Sequence, residues 1–205
     1  MEMPKFCVIT VAECDANYLS RALELTRELK NEIEEKGNPV SIRAGTLITG
    51  YYAGAMAFFQ NYLTLSDFEQ SYEILQASWH YQSLFKSGAA KVASRNLIKF
   101  SPVEYEENLI VEAQYLVLTR VKTLGSMLPS INRLAPVFSK TGALSYRLGS
   151  IMTGNNVGNE LLGVSYKSMN QIETAYDLLV DNLDYKDLLK NVTVKARNIV
   201  KLASG

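Results

Sequence analysis

"RAGTLITGYYAG" at residues 43–54 and "RLGSIMTGNNVG" at residues 147–158 are one phrase written twice, 104 residues apart. Held at that offset, residues 43–86 align with 147–190 without a gap, and 12 of the 44 pairs are identical. Chance pairing would give roughly three. The identities include Arg43/Arg147, Gly45/Gly149, Thr49/Thr153, Gly50/Gly154, Gly54/Gly158, Tyr62/Tyr166 and Tyr72/Tyr176. A period of this length exceeds that of a solenoid repeat and reads as a duplicated small domain.

Each copy reads in the same order. "FCVITVAE" (6–13) and "YLVLTRVK" (115–122) are β-rich runs bounded by polar turns. Residues 16–36 follow with a helical stripe through Leu19, Ala22, Leu29 and Ile33, with Asp15 as the expected N-cap and Gly37-Asn38-Pro39 as the stop. The counterpart, 126–140, carries Pro129 and Pro136, and the second proline should kink or break the helix. The repeated phrase is then a hairpin corner whose glycines supply positive φ between two antiparallel strands. Ser66-x-x-Glu69 and Asn170-x-x-Glu173 predict the caps of the next helix. Its buried stripe is Phe68, Tyr72, Leu75 and Trp79, repeated as Ile172, Tyr176, Leu179 and Leu183. A short helical segment near 81–90 and 185–190 leads to the closing strands "SRNLIKF" (94–100) and "ARNIVKL" (196–202).

The order β-α-β-β-α-β, twice, is the ferredoxin-like split βαβ unit. It predicts an α+β chain with repeat 1 over 1–100, an acidic linker over 101–114 and repeat 2 over 115–205. Helices cover one face of each sheet. The other face needs burial, so the two sheets should pack on one another as an intrachain α+β barrel.

Composition bounds the partners. Nearly half of the 205 residues are apolar, and 21 basic residues balance 21 acidic ones, so no electrostatic footprint for nucleic acid or anionic membrane is present. "MEMPKFCVIT" lacks the pattern of a signal peptide and no run of 18 apolar residues occurs, which points to a cytoplasmic protein. Cys7 and Cys14 lie on one strand, too far apart for a disulfide, and are expected as reduced thiols.

The hairpin "TG…G" at 49–54 and 153–158, the capped helices from 66 and 170, and the run "WHYQSLFKSGAAKVASRN" resemble the dimeric α+β barrel superfamily. That superfamily includes antibiotic-biosynthesis-type monooxygenases and NIPSNAP-like proteins. The resemblance implies a fused pseudo-dimer in one chain, with room for a further homodimer. It also implies a lumen or cleft for small, often aromatic or apolar molecules. Activities within the superfamily include cofactor-free oxygenation, haem degradation and isomerisation, beside members with no established reaction.

The residues carry no metal cluster, nucleotide loop or nucleophile elbow, so no cofactor and no metal are expected. His80 could serve as an acid/base group or sit as a polar residue at a helix end. Ala89 and Ala90 stand where haem-degrading relatives would place a ligand histidine. Arg43 and Arg147 could grip a ligand carboxylate or, the better-supported alternative, pair with a neighbouring carboxylate. Arg120 stands in an apolar strand where its counterpart is Val11, which makes it a lumen candidate. Tyr62 and Tyr166 could bond a ligand or cover a barrel end, and Tyr72 and Tyr176 read as core. Gly163 removes a side chain where its twin, Phe59, has a phenyl ring.

Three functions stay open. The leading one is binding of a small, largely apolar molecule at one asymmetric site biased to the second half. The second is a cofactor-independent monooxygenase or isomerase using Arg120, Tyr62 or His80. The third is an interaction module docking a partner through its sheet edges or the Tyr51-Tyr52 corner.

Overall fold

The computed structural model describes residues 2–203. The first half supplies β1 (Phe6–Cys14), α1 (Leu19–Lys36), β2 (Ser41–Leu47), β3 (Met56–Tyr62), α2 (Leu65–Ala77), α3 (Trp79–Lys86) and β4 (Ala90–Phe100). The second supplies β5 (Tyr115–Thr123), α4 (Leu128–Lys140), β6 (Ser145–Ile151), β7 (Glu160–Tyr166), α5 (Met169–Asp181), α6 (Leu183–Asn191) and β8 (Val192–Leu202). All strand pairs are antiparallel and close into one barrel in the order β1-β3-β2-β8-β5-β7-β6-β4. The chain is therefore α+β, two tandem ferredoxin-like units joined as an intrachain barrel.

Strand alternation divides the apolar residues into three cores. Ala12, Ile42, Met56 and Phe58 face α1–α3, where Ala22, Leu25, Leu29 and Ile33 meet them. Val117, Val121, Tyr146, Leu148 and Val164 do the same for α4–α6. Opposite faces of the strands turn Cys7, Ile9, Leu47, Phe59, Ile98, Ile151 and Val200 into the lumen.

The repeated phrase forms the seam between the halves. β2 pairs β8 from Gly45↔Leu202 to Leu47↔Val200, and β4 pairs β6 from Ile98↔Ile151 to Phe100↔Gly149. A Cβ on Gly45 would collide with the Lys201 carbonyl oxygen, and one on Gly149 would stand 2.5 Å from Ile98 Cγ2, so neither strand could approach a larger residue. Past the paired stretch, Thr49 Oγ1 accepts from the Ile199 amide at 2.8 Å and Thr153 Oγ1 from the Leu97 amide at 3.0 Å. The glycines that follow have φ of 90° at Gly50 and 89° at Gly154, as the turn reading expects. Their Cα atoms also lie against Asn198 and Asn96 of the opposite half.

Several local expectations are corrected. The caps of α2 and α5 are Thr64 and Ser168, two residues before Ser66 and Asn170, because each begins a complete capping box with Asp67 or Gln171. α1 is preceded by a turn from Asp15, so its N-cap is Tyr18 and Asp15 caps nothing. The helical stripe stops early: Ser78 and Asn182 adopt extended backbone and cap α3 and α6, which leaves Trp79 and Leu183 exposed at the new corner. Tyr72 is 40% exposed rather than core. α4 runs unbroken through Pro136, and Pro129 sits in its first turn.

Replacing Gly50 or Gly154 with Ala combines positive φ with a Cβ driven into an asparagine Oδ1, that of Asn198 or Asn96. Each substitution is expected to lower stability by about 1–3 kcal/mol in urea unfolding. Unchanged midpoints for both variants would contradict the seam's role.

Candidate functional site

The lumen is incompletely filled. A cavity of about 210 Å³ is lined by side chains from all eight strands. Its apolar walls come from Ile9, Phe59, Ile98, Phe100, Leu116, Leu118, Leu161 and Leu202, with Cys7 among them. Polar groups gather where β2 and β6 begin and β3 and β7 end: Ser41, Arg43 and Asn61 from the first half, Ser145, Arg147 and Ser165 from the second. Asn61 Nδ2 donates to Ser41 Oγ at 3.0 Å, and the twin hydroxyls of Ser145 and Ser165 stand 2.6 Å apart. The linker lies across this end, contributing Asn108, Leu109, Val111 and Ala113 to the lining. It is tied down by backbone hydrogen bonds, the Asn108 N–H donating to the Leu144 carbonyl and the Gln114 N–H to the Tyr166 carbonyl.

The linker also brings one carboxylate to each arginine. Arg147 donates from Nε to Glu107 Oε1 at 2.6 Å and from Nη2 to Oε2 at 2.5 Å, with side chains only 19% and 3% exposed. Its guanidinium lies over the Phe100 ring, 5.6 Å from the centroid. Arg43 is held loosely: its Nη1 is 3.9 Å from Glu112 Oε1, and the two side chains are 43% and 55% exposed. Both arginines therefore pair with carboxylates, the alternative the sequence favoured, but the partners come from the linker. Cys7 is buried in this wall, and loss of solvation pushes its thiol up to about 12 despite the nearby Arg147 charge.

The sequence candidates separate into two groups. Gly163 lines the cavity with Arg43 and Arg147. A Cβ there would meet only the side chains of Leu118 and Leu116, at ordinary contact distances of 3.7 and 3.8 Å. Arg120 is not among the lining residues. Alternation puts it on the same face as Leu116 and Leu118, but it lies further along β5, opposite Leu161 and beside the bulge at Arg120/Val121. There its Nε is buried without a hydrogen-bond partner among the described residues. Tyr62 and Tyr166 end strands on the helical side and are fully packed. Tyr62 OH accepts from Gln60 Nε2 at 2.8 Å, and burial pushes its phenol up to about 12. His80 lies on α3 with its ring 5.2 Å from that of Trp79, outside the cavity.

One constellation escaped the sequence reading. Arg95 donates from Nε to Thr10 Oγ1 and from Nη2 to Tyr81 OH, beneath the helices and 5.7 Å from the Tyr72 centroid. Arg197 repeats this with Thr119, Tyr185 and Tyr176. The signal was present in the Arg-Asn dipeptide of both closing strands, together with the identical Tyr72/Tyr176 and Tyr81/Tyr185 pairs. The symmetric bonds account for these residues as ties between sheet and helix.

A closed eight-stranded barrel of two ferredoxin-like halves, with helices outside and a cavity within, defines a single-chain dimeric α+β barrel fold. The chain belongs to the family described as Domain of unknown function (DUF6854), whose profile matches residues 4–100 and again 113–202. No curated protein matches it in sequence. Among solved structures, a candidate monooxygenase from Fusobacterium nucleatum subsp. nucleatum superposes with a TM-score of 0.68 at 10% identity, covering 100% of this chain and 94% of its own. A chlorite dismutase variant from Candidatus Nitrospira defluvii gives 0.62 at 10% identity, with 98% and 91% covered. A haem-binding protein from Thermus thermophilus gives 0.61 at 10% identity, with 100% and 96% covered. At these identities the likeness is one of fold.

The barrel cavity offers a haem iron neither imidazole nor thiolate. The chain's one imidazole, His80, is outside the cavity, and the Cys7 thiol is held protonated by burial. Two further spaces, between helices and sheet, are about 40 Å³ each, and their walls supply no imidazole.

Two measurements check this electrostatic picture. Arg147→Met leaves the Glu107 carboxylate buried and unpaired and should cost about 3 kcal/mol, whereas Arg43→Gln should cost less than about 1 kcal/mol. Equal losses would contradict the inequality of the two pairs. Because the folded Cys7 thiol titrates well above its unfolded value of about 8.5, its contribution is complete below that pH. It is lost as pH rises towards about 12. Cys7→Ala should flatten the decline in Tm between roughly pH 8.5 and 10, and an unchanged slope would count against it.

Proposed function

We propose that the protein binds a small, largely apolar molecule bearing an acidic or carbonyl group inside the barrel. The cavity that reaches all eight strands carries this reading: a mostly apolar wall with a few convergent polar groups is the usual form of a ligand site. Size narrows the class. A dry apolar cavity of about 150 Å³ accepts benzene, so about 210 Å³ suits a single ring or short chain with one polar head. The asymmetry at Gly163 opens this space on the second half, while the twin position is filled by Phe59. The small-molecule and haem chemistry named for the neighbouring structures accords with binding in such a fold.

A monooxygenase or isomerase reading draws on the neighbours' names, but Arg120, Tyr62 and His80 do not converge on the cavity. Affinity with monooxygenase-like or NIPSNAP-like members rests on the sequence resemblance and assigns no site residue. The interaction reading keeps the exposed Tyr51, whose neighbour Tyr52 packs into the lumen core. Among the described residues, no helix is long and apolar enough to cross a membrane.

Gly163→Phe tests the binding reading by filling the space. Ligand-observed NMR should show toluene and phenylacetate binding to the unaltered chain and not to this variant, while its Tm falls little or rises. Molecules released by denaturing the purified protein and identified by mass spectrometry should be absent from the variant. Retention of both probes by Gly163→Phe would place binding elsewhere.

A further inference from the structure

The two arginines of the cavity are twins by sequence and unequal by circumstance. Arg147 spends two donors of its guanidinium on the buried Glu107, and one face lies over Phe100. A ligand anion at Arg147 would meet a guanidinium whose charge Glu107 already neutralises, and displacing that carboxylate would leave it buried without a counter-charge, an unfavourable exchange. Arg43 differs on each point. Its separation from Glu112, 3.9 Å, exceeds hydrogen-bond length, and both side chains are about half exposed. Where Arg147 has Phe100 beside it, the twin position of the other half holds Leu202, which offers no ring for a guanidinium to stack on. Phe59 is the cross-strand neighbour of Arg43 and supplies apolar wall next to the charge.

Resting on the lumen-binding reading, we propose that Arg43 selects a carboxylate ligand, and that Glu112 acts as an internal competitor for its guanidinium. The planar fork of arginine matches a carboxylate in two parallel bonds, a geometry the distant Glu112 does not reach. The ligand class is a monocarboxylate whose apolar body is about one ring in size, seated in the cavity of about 210 Å³. Glu112 lies on the same linker stretch as Val111 and Ala113, which line the cavity. Exchange of one carboxylate for the other thus takes place at the cavity wall.

The test compares phenylacetate with its neutral isostere phenylacetamide, by calorimetry on the full chain and its variants. The unaltered chain should prefer the acid by roughly tenfold, the gain expected of one charge-assisted contact. Arg43→Gln should remove that preference while leaving the amide's affinity in place, and Arg43→Lys should restore part of it. Glu112→Gln should tighten the acid by about two- to fivefold through loss of competition and leave the amide unchanged, which a purely structural role would not do. Equal affinity for acid and amide in the unaltered chain, or parallel losses of both in Arg43→Gln, overturns the proposal. If both probes bind without preference and both are lost in Gly163→Phe, the lumen site stands and this inference alone fails. If neither binds, both readings fail.

Discussion

Cross-half strand pairing is the constraint on which the rest of this structure depends. A four-stranded ferredoxin-like sheet has one apolar face that its own helices cannot reach, and two edges with unpaired backbone groups. Joining β2 to β8 and β4 to β6 meets both needs at once. The edge amides find carbonyls, and the bare faces become the lumen walls. Gly45 and Gly149 make the approach possible, since a Cβ at either position would collide with the facing strand. Thr49 and Thr153 extend the pairing past the ends of the ladders by accepting amides from the opposite half.

This explains why the repeated phrase was so legible and why its meaning was only half read. Turn chemistry accounts for positive φ at Gly50 and Gly154, a local property visible in sequence. The arginine, threonine and first glycine of the phrase serve contacts with residues about 40 to 160 positions away, which no local pattern encodes. The same limit governs the helices. A 3.6-residue stripe runs through Trp79 and Leu183, yet Ser78 and Asn182 turn the chain just before them, and competing cap positions at Thr64 and Ser168 win over Ser66 and Asn170. Gly163 was readable because duplication supplied its own comparison, Phe59. Arg120 differs from its twin Val11 in the same way, but the depth of a residue along a barrel strand depends on register, and that register emerges only when all eight strands close.

Duplication within one chain frees the halves from identity. In a symmetric dimer, any residue that opens space opens it twice, and any carboxylate that neutralises one arginine neutralises its twin equally. Here Gly163 faces a cavity that Phe59 narrows from the other side, and a single linker visits both arginines with different carboxylates at different depths. The linker is thus more than a tether. Its sequence breaks the two-fold symmetry of the lumen, since it sets Glu107 deep against Arg147 and Glu112 in the open against Arg43.

A void inside a closed barrel has an energetic consequence. Interiors pack to crystal-like density, and an unfilled apolar volume costs on the order of 20 cal/mol per Å³. The cavity of about 210 Å³ opens to solvent where the linker crosses it, so only its inner, apolar part bears such a cost. Water can offset the cost only at the polar end, where the serines, Asn61 and the arginines supply partners. Next to Leu116, Leu118, Leu161 and Gly163 it finds none. A phenylalanine at 163, as at 59, would fill that region with no change to the seam, the caps or the helical cores. Folding alone gives no reason for glycine there, since strand interiors disfavour it and no backbone approaches its missing Cβ closely. The space at Gly163 is therefore a feature that stability opposes and that occupancy by an apolar guest would reverse.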